Sequence, residues 1–466
     1  MTKVYQNIGI LSALAQAASI YLVVRSRFNL FSSEESDQER IHQSLTWITH
    51  LILPFLIFVA KKIEGWNLSI FPNTLCTVAL FIAVRFSWIS FLFYPFIILA
   101  IFFLVLHIIC LKTFFYFKFL QPKGPFNVGF TYLPYKGLRI AIFYPTARPS
   151  GNRARFFFDS YPLDGIYALA TAYETFPRSI FNLWYDYGYK IEMPAHLDSP
   201  LLSPQMLESR TLSNRFTPIV VSPATGLHRN AYSSYCSEFA SRGHIVISLN
   251  HDEDIRELSV TKEVEVRRKH LAKRVHEVRM LLDSLQNGQL LFEVFKAQVP
   301  LAFDKTIVMG HAFGGATALA TAYEDRRVND VVLLDPWLAA MHKEEITRPL
   351  HCNMLLVESE YWSDWAVPYF EVRSLNQAFI NAQRYTGKRA IYTIGKRVDH
   401  LSFSDSCLVY VGYLKMFQFI NHKEEQRELL SFLVDVVSMY IELSVHGDPT
   451  DKFIQSVKAD KRLVYE

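Results

Sequence analysis

The amino-acid sequence predicts a mostly parallel α/β domain preceded by a membrane-spanning helical region. Short, continuous apolar runs alternate with longer helical patterns between residues 124 and 466. Apolar residues are also concentrated in the first 120 residues of a chain that is 50% hydrophobic. Parallel strands that are covered by helices on both faces are continuously apolar. Long apolar stretches at one end of a chain are typical of membrane spans.

Charge and cysteine content argue against two other classes of protein. The formal net charge is only +4, from 48 basic and 44 acidic residues mixed along the chain. Nucleic-acid binding needs basic side chains clustered on one face, so we expect no nucleic-acid partner. The five cysteines are scattered without the spacing of metal ligands. We therefore expect neither a metal nor a cofactor.

Residues 1–120 are predicted to form a transmembrane region of about four helices. Each stretch is apolar and ends near a basic residue or an aromatic one, and the four are Ile8–Val24, Leu45–Ala60, Thr74–Phe93 and Tyr94–Cys110. Because a span needs about 20 apolar residues, the first two stretches are slightly short. A signal peptide is the alternative for the first stretch, but its beginning is poor in charge and no small-x-small cleavage site follows.

Four spans predict a multi-pass integral membrane protein in contact with membrane lipid. The membrane is either an endomembrane or the mitochondrial inner membrane. The chain then has both termini on one side of it, and the excess of lysine there favours the cytosolic or matrix-like side.

Residues 124–466 are predicted to form the α/β domain. Its predicted strands are short apolar runs, namely Arg139–Tyr144, Pro218–Ser222, His244–Leu249, Thr306–Met309, Val331–Leu334, Asn353–Val357 and Ala390–Ile394. The longest helical pattern is Val260–Leu285, which has apolar residues recurring on one face. A helix over Arg427–Leu443 and a polar tail are expected to end the chain.

One motif follows the predicted strand Thr306–Met309 and indicates a chemistry. It reads Gly310-His311-Ala312-Phe313-Gly314. A sharp strand-to-helix turn with a central residue at positive φ leaves no room for side chains two positions away, which explains the G-x-S-x-G pattern of hydrolases. Both glycines are present, but Ala312 has no nucleophilic atom where serine is expected.

An acid and a histidine follow the motif in the chain order of hydrolases. Asp335 comes directly after the predicted strand Val331–Leu334, and His400 follows Ala390–Ile394. The motif alone also fits a glycine-rich turn with no catalytic role. The ordered set of Ala312, Asp335 and His400 at strand ends favours the catalytic interpretation.

Several segments resemble the platelet-activating-factor acetylhydrolase family (group VII phospholipase A2) of the α/β-hydrolase superfamily. Each of these segments is similar to a motif of the family. The segments are Gly124–Gly129 (GPFNVG), Ile142–Pro145 (IFYP), Pro194–Leu201 (PAHLDSPL), Gly310–Thr317 (GHAFGGAT) and Leu334–Trp337 (LDPW). The resemblance covers Gly124 to Phe403. It implies an α/β-hydrolase fold and an esterase site, with Asp335 as the acid and His400 as the base.

The resemblance also implies two oxyanion donors, the backbone N–H groups of Thr225 and Phe313. The family has H-G-x-G in the first of these loops, whereas this chain has Pro223-Ala224-Thr225-Gly226. Pro223 has no N–H, and Ala224 restricts a loop that is built around glycine. Arg229 and Tyr232 beyond the loop match the family.

The missing serine and the altered loop predict a non-catalytic hydrolase-like protein that is fixed to a membrane. It serves either as a structural subunit of a membrane complex or as a lipid-binding module. The alternative is an active esterase that hydrolyses short-chain or oxidised phospholipid sn-2 esters. That activity requires Ala312 to be an introduced substitution, or water to act as the nucleophile. A change in two parts of one site favours natural loss. A transporter is disfavoured, because the spans lack paired charges.

Overall fold

The computed structural model describes residues 2–28, 48–64, 70–85, 90–114, 119–156, 191–211, 213–251, 263–360, 362, 372–384, 386–409, 426–447 and 450–465. Contacts divide the chain into two compact units. One consists of residues 1–117 and 177–191, and the other of residues 118–176 and 192–466.

The described part of the first unit consists of apolar helices. They are α1 (Thr2–Phe28), α2 (Leu53–Glu64, after a π-helical turn at Ile48–Ile52), α3 (Ile70–Arg85) and α4 (Ser90–Phe114). Ala79 and Ala83 of α3 and Ala100 of α4 are buried. Such small side chains let two helix backbones approach closely.

Polar side chains join α1 to α3 inside this unit. Gln16 Nε2 donates to the Asn73 carbonyl at 2.9 Å and to Thr77 Oγ1 at 3.1 Å. Ser12 Oγ donates to Asn73 Oδ1 at 2.8 Å. Since all four side chains are buried, these bonds satisfy groups that would otherwise be costly to remove from water.

The helix bounds correct one prediction about the apolar stretches. The third predicted stretch extended to Phe93 and the fourth began at Tyr94, but α3 ends at Arg85 and α4 begins at Ser90. Pro95 lies in the second turn of α4. A proline at this position removes one backbone hydrogen bond of the helix. Residues 45–47 of the second stretch lie outside the described residues.

Among the described residues, one helix is long and apolar enough to cross a membrane, and it is not one of the four predicted spans. It covers Gln426–His446, has a mean hydropathy of 1.5 and is 67% buried. Three shorter apolar helical stretches are Leu11–Val24, Pro72–Arg85 and Tyr94–Ile109. By this criterion of length and composition, the predicted multi-pass arrangement is not supported.

The second unit is built on one eleven-stranded sheet. Its strands are β1 (Asn127–Tyr135), β2 (Leu138–Thr146), β3 (Arg153–Arg155), β4 (Glu192–Leu197), β5 (Pro218–Ser222), β6 (Ile245–Asn250), β7 (Ile307–His311), β8 (Asp330–Leu334), β9 (Asn353–Ser359), β10 (Ala390–Gly395) and β11 (Leu463–Tyr465). The order across the sheet is β11-β10-β9-β8-β7-β5-β6-β2-β1-β4-β3.

The central strands from β10 to β6 pair in parallel. The pairs β11 to β10, β6 to β2, β2 to β1 and β4 to β3 are antiparallel. In a parallel sheet the carboxyl ends of the strands meet at one edge, where such folds bind their ligands. The residues that follow β5, β7, β8 and β10 therefore meet at this edge.

Helices alternate with these strands. They are α5 (Pro204–Thr211), α6 (Ser233–Ser241), α7 (Glu263–Gln286), α8 (Gln289–Phe295), α9 (Phe313–Glu324), α10 (Lys343–Ile346), α11 (Val372–Gln383), α12 (Ser406–Val409), α13 (Gln426–His446) and α14 (Thr450–Ala459). Side chains of β5, β7, α7 and α9 share one apolar core, which includes Val220, Val308, Val278 and Leu319. The sequence predicts this architecture, and the structure confirms it.

All seven predicted strands correspond to strands of the sheet, whereas β1, β3, β4 and β11 were not predicted. The predicted helix Val260–Leu285 corresponds to α7, and its first three residues lie outside the described residues. The expected polar tail is wrong in part, because Thr450–Ala459 is helical and Leu463–Tyr465 pairs with β10. Phe453 and Val457 are buried, so an apolar stripe holds this segment on the unit.

Candidate active site

The strand-to-helix turn after β7 has the sharp geometry expected of a hydrolase elbow. Ala312 lies between β7 and α9 with φ 53° and ψ −118°. Its N–H donates to the Leu334 carbonyl at 2.9 Å, and its carbonyl accepts from Trp337 N–H at 2.9 Å. Positive φ in a residue other than glycine costs free energy and persists only where the surroundings enforce it.

Two glycines create the space for this turn. A Cβ atom on Gly310 would lie 1.9 Å from the Gly314 carbonyl oxygen, and one on Gly314 would lie 2.1 Å from the Ser222 carbonyl oxygen. Both contacts are with backbone, which cannot move aside as a flexible side chain can. The elbow therefore keeps the steric requirements of a nucleophile turn around an alanine methyl group.

Asp335 and His400 come together beside the elbow. His400 Nδ1 lies 3.0 Å from Asp335 Oδ2, and both side chains are buried. Asp335 also accepts from Ser359, from its N–H and its hydroxyl, each at 2.5 Å. The carboxylate thus fixes the imidazole with Nδ1 toward β8, as an acid does in a hydrolase triad. Burial lowers the pKa of His400 and raises the pKa of Asp335, because neither charge is solvated.

Two rings flank the His400 imidazole. Trp362 stacks on it with 3.8 Å between centroids and 12° between planes. The ring centroid of His311 lies 4.5 Å away. Tyr232 Oη lies 2.7 Å from His311 Nδ1 and accepts a hydrogen bond from Ala224 N–H at 3.2 Å. Tyr232 therefore links the elbow to the loop after β5.

The loop after β5 is the predicted oxyanion loop, and α7 holds it. Arg274 donates to the Pro223 carbonyl at 2.8 Å, and Arg267 donates to Thr225 Oγ1. Both guanidinium groups lie over the Phe313 ring, at 4.5 Å for Arg274 and 5.1 Å for Arg267. Phe313, whose N–H is the other predicted oxyanion donor, is the first residue of α9.

The structure also contains a second set of hydrogen-bonded side chains, which contacts this loop and which the sequence did not predict. Ser222 Oγ lies 2.8 Å from His251 Nε2, and His251 Nδ1 lies 2.6 Å from Glu277 Oε2. These residues are far apart in the chain, and no motif links them. Ser222 is fully buried, so this Ser–His–Glu arrangement braces the loop and does not present a nucleophile. Burial also lowers the pKa of His251, which stays uncharged.

Other hydroxyl and thiol groups do not replace the missing serine. Thr317 Oγ1 donates to the Phe313 carbonyl one turn earlier in α9, at 2.9 Å. Cys236 is buried in α6, and burial raises the pKa of its thiol. The Thr317 hydroxyl is therefore engaged in a hydrogen bond, and the Cys236 thiol stays protonated and unreactive.

Three side chains at the site have the composition of a metal site. His311, Asp335 and His400 each offer a ligand atom, and these atoms lie within 4.8 Å of one another. Nδ1 of His400 already faces Asp335, and Nδ1 of His311 already faces Tyr232. Each imidazole thus has one nitrogen engaged in a hydrogen bond, an arrangement that suits a proton relay.

Comparison with known proteins agrees with this geometry. The chain resembles platelet-activating factor acetylhydrolases of Cavia porcellus and Canis lupus familiaris, each at 25% identity. The matches cover 38% and 46% of this chain and 45% and 54% of the relatives. The chain thus spans about half the length of the curated relatives that it matches.

A solved structure is similar to a larger share of the chain. A ferulic acid esterase from Streptomyces cinnamoneus superposes with a TM-score of 0.55 at 15% identity, covering 74% of this chain and 98% of the esterase. At this identity the similarity shows the fold alone. The family model for platelet-activating factor acetylhydrolase, isoform II, matches residues 114–255 and 253–434. These matches span most of the chain, which therefore belongs to the platelet-activating factor acetylhydrolase, isoform II, family.

Proposed function

We propose that this protein is a non-catalytic member of its family that binds an acyl lipid at a membrane. The observation that carries the proposal is the methyl group of Ala312 at the centre of an otherwise intact elbow. Asp335 and His400 keep their hydrogen bond, but they have only water to activate. A triad without one member retains roughly 10³–10⁴-fold acceleration over water, which is too little for a useful lipase.

The apolar first unit supports attachment to a membrane. Leu14, Phe55, Ile98 and Phe102 of its helices are each at least 59% exposed. Burial of such side chains among lipid tails is favourable, whereas their exposure to water costs free energy. The proposal therefore includes several membrane spans and contact with membrane lipid. The proposal also includes a second non-catalytic role, that of a structural subunit in a membrane complex.

The test is hydrolysis of short-chain esters by the purified full-length chain in detergent. We expect p-nitrophenyl acetate and a short-chain phospholipid to be cleaved no faster by the protein than by the His400→Ala variant. Ester cleavage that depends on His400 would contradict the proposal, because it would show that the site turns over without a serine.

An active esterase is the second candidate function. The strand-to-helix turn at Ala312 and the hydrogen bond between Asp335 and His400 favour it. It requires a serine at position 312 or an activated water. Labelling of the Ala312→Ser variant by a fluorophosphonate probe tests the first route. We expect weak labelling, because the family's H-G-x-G loop is replaced by Pro223–Gly226. Labelling as strong as that of an active serine esterase would show that this loop is competent and would support the esterase.

A further inference from the structure

A glutamate near the C-terminal end of α13 lies between two histidines. Glu442 Oε1 lies 3.5 Å from His244 Nε2, and Glu442 Oε2 lies 3.0 Å from His446 Nε2. His244 directly precedes β6, whereas Glu442 and His446 are one turn apart in α13. The carboxylate therefore joins the end of this helix to the start of a central strand.

The contact with His244 is largely shielded from water. The side chain of His244 is 5% exposed, and that of Glu442 is 26% exposed. Within the part of the chain that the structure describes, no hydrogen bond to a third group holds His244 Nε2 or Glu442 Oε1. These two atoms therefore depend on each other. Their attraction is strongest when the imidazole is protonated and the carboxylate is ionised.

The carboxylate of Glu442 stays ionised at neutral pH. Burial alone would raise the pKa of Glu442, but the hydrogen bonds and charges of His244 and His446 hold it well below its usual range. Histidine ordinarily gains its positive charge between about pH 8 and pH 5. Both ion pairs are therefore formed as the pH falls through this range, and both are lost as the pH rises through it.

Other charged groups lie on the elements around this cluster. Lys305 Nζ donates to a backbone carbonyl in the last turn of α13, where a cation is favoured by the helix dipole. Asp330 accepts from Tyr440 at 2.8 Å, one turn before the cluster. On α6, Glu238 pairs with Arg242 at 2.7 Å. Lysine and arginine keep their charge at neutral pH, so the two histidines are the groups that ordinarily titrate there.

The end of α13 leads into the C-terminal segment of the second unit. The N–H of Gly447, which has φ 72°, donates to the Leu443 carbonyl at 3.0 Å and ends the helix. The next helix, α14, packs against α13, and β11 pairs with the edge of β10. Opening of the last turns of α13 would therefore loosen α14 and β11 as well.

We propose that the cluster of His244, Glu442 and His446 is a pH-sensitive contact, which holds the end of α13 more tightly at about pH 6 than at about pH 8. At the lower pH, both imidazoles are cations beside one carboxylate. At the higher pH, the carboxylate keeps its charge and loses both cations. The inference is independent of the proposed function, because it concerns the packing of α13 and not the site at Ala312.

The experiment is hydrogen exchange of the full-length protein in detergent at about pH 6 and about pH 8, read by mass spectrometry. Expressed as protection factors, the data are free of the intrinsic pH dependence of exchange. We expect the amides of residues 440–457 to be protected about tenfold more at the lower pH, the size of a charge-assisted contact at a helix end. Amides of α8, a helix without histidine, are the internal reference.

Two variants assign the effect to the cluster. Glu442→Gln keeps the shape of the side chain and removes its charge, so the difference between the two pH values should fall to about twofold or less. His446→Gln changes an exposed side chain, which leaves the core untouched, and it should reduce the difference about threefold. His276→Ala is the control, because this histidine is exposed on α7, and it should behave as the parent does.

Two results would overturn the inference. The first is equal protection of residues 440–457 at both pH values in the parent protein. The second is a pH difference that is as large in Glu442→Gln and in His446→Gln as in the parent, because other groups would then cause it.

Discussion

Ala312 keeps a strained backbone conformation that no longer presents a nucleophile. A conformation with φ 53° and ψ −118° costs a residue other than glycine about 1–3 kcal/mol. The close contacts of Gly310 and Gly314 explain why the strain persists. These glycines let α9 pack directly against the backbone of β5 and β7, so relaxation of the turn would separate elements of the core. The elbow is thus part of the fold as well as of the site.

Substitution of an elbow glycine tests this structural role. In Gly314→Ala the new Cβ would lie 2.1 Å from the Ser222 carbonyl oxygen, so the backbone must shift. We expect a loss of roughly 3 kcal/mol in the free energy of unfolding, measured by urea denaturation in detergent. Gly151→Ala is the control, because nothing lies within 4 Å of its new Cβ. Equal stability of the two variants would show that the elbow is not structurally required.

The sequence was sufficient to predict some residues of the site and not others. Ala312, Asp335 and His400 could be identified because each follows a strand in the chain order of hydrolases. Ser359 and Trp362 could not, since they contact Asp335 and His400 only through the packing of β9 beside β8 and β10. Side-chain contacts between elements leave no spacing pattern in the chain. The roles of these predicted residues remain a proposal that the experiments above address.

At the scale of the element, α7 supports the loop that carries one oxyanion donor. Its buried Arg274 holds the Pro223 carbonyl, and its Glu277 holds His251, which in turn holds Ser222. The helix thus fixes Ser222, the last residue of β5, and Pro223, which follows it. This brace therefore maintains the shape of the loop although the serine is absent.

Glu277 provides the test of this brace. Glu277→Ala leaves the buried His251 side chain without its carboxylate partner. Because His251 is uncharged, we expect a loss of about 2 kcal/mol in the free energy of unfolding, the cost of a buried donor without its acceptor. Glu324→Ala is the matched control, because its pair with Arg279 is about half exposed and should contribute less than about 1 kcal/mol. Similar urea midpoints for both variants would contradict the proposed brace.

The strands that the sequence failed to predict lie mainly at the edges of the sheet. β3 and β11 have three residues each, too few to show a pattern. β1 and β4 contain Pro134 and Pro194, and proline argues against a strand unless the strand lies near an edge. The central strands were predictable because burial on both faces makes them continuously apolar.

At the scale of the whole molecule, a hydrolase fold persists without the atom that gives hydrolases their activity. The wall of a pocket depends on packed side chains and not on the nucleophile. A buried acid–histidine pair, an elbow under strain and a braced loop all keep their geometry here. Their retention agrees with the binding role proposed above for the same surface.

We expect the exposed apolar side chains of α4 to attach the protein to the membrane. Ile98 and Phe102 are 67% and 59% exposed, and they lie four residues apart on one face of the helix. We expect the full-length chain to resist extraction from membranes by alkaline carbonate. A lysine at the centre of a span costs about 3 kcal/mol.

The double variant Ile98→Lys, Phe102→Lys should therefore be extracted to a much greater extent than the parent, as quantified by immunoblot of pellet and supernatant. Met206→Lys is the control, because this side chain is also apolar and 48% exposed but belongs to the second unit. We expect it to remain with the membrane. Complete extraction of the folded parent chain would contradict spanning, since a peripheral protein leaves the bilayer under alkaline carbonate whereas a spanning helix does not.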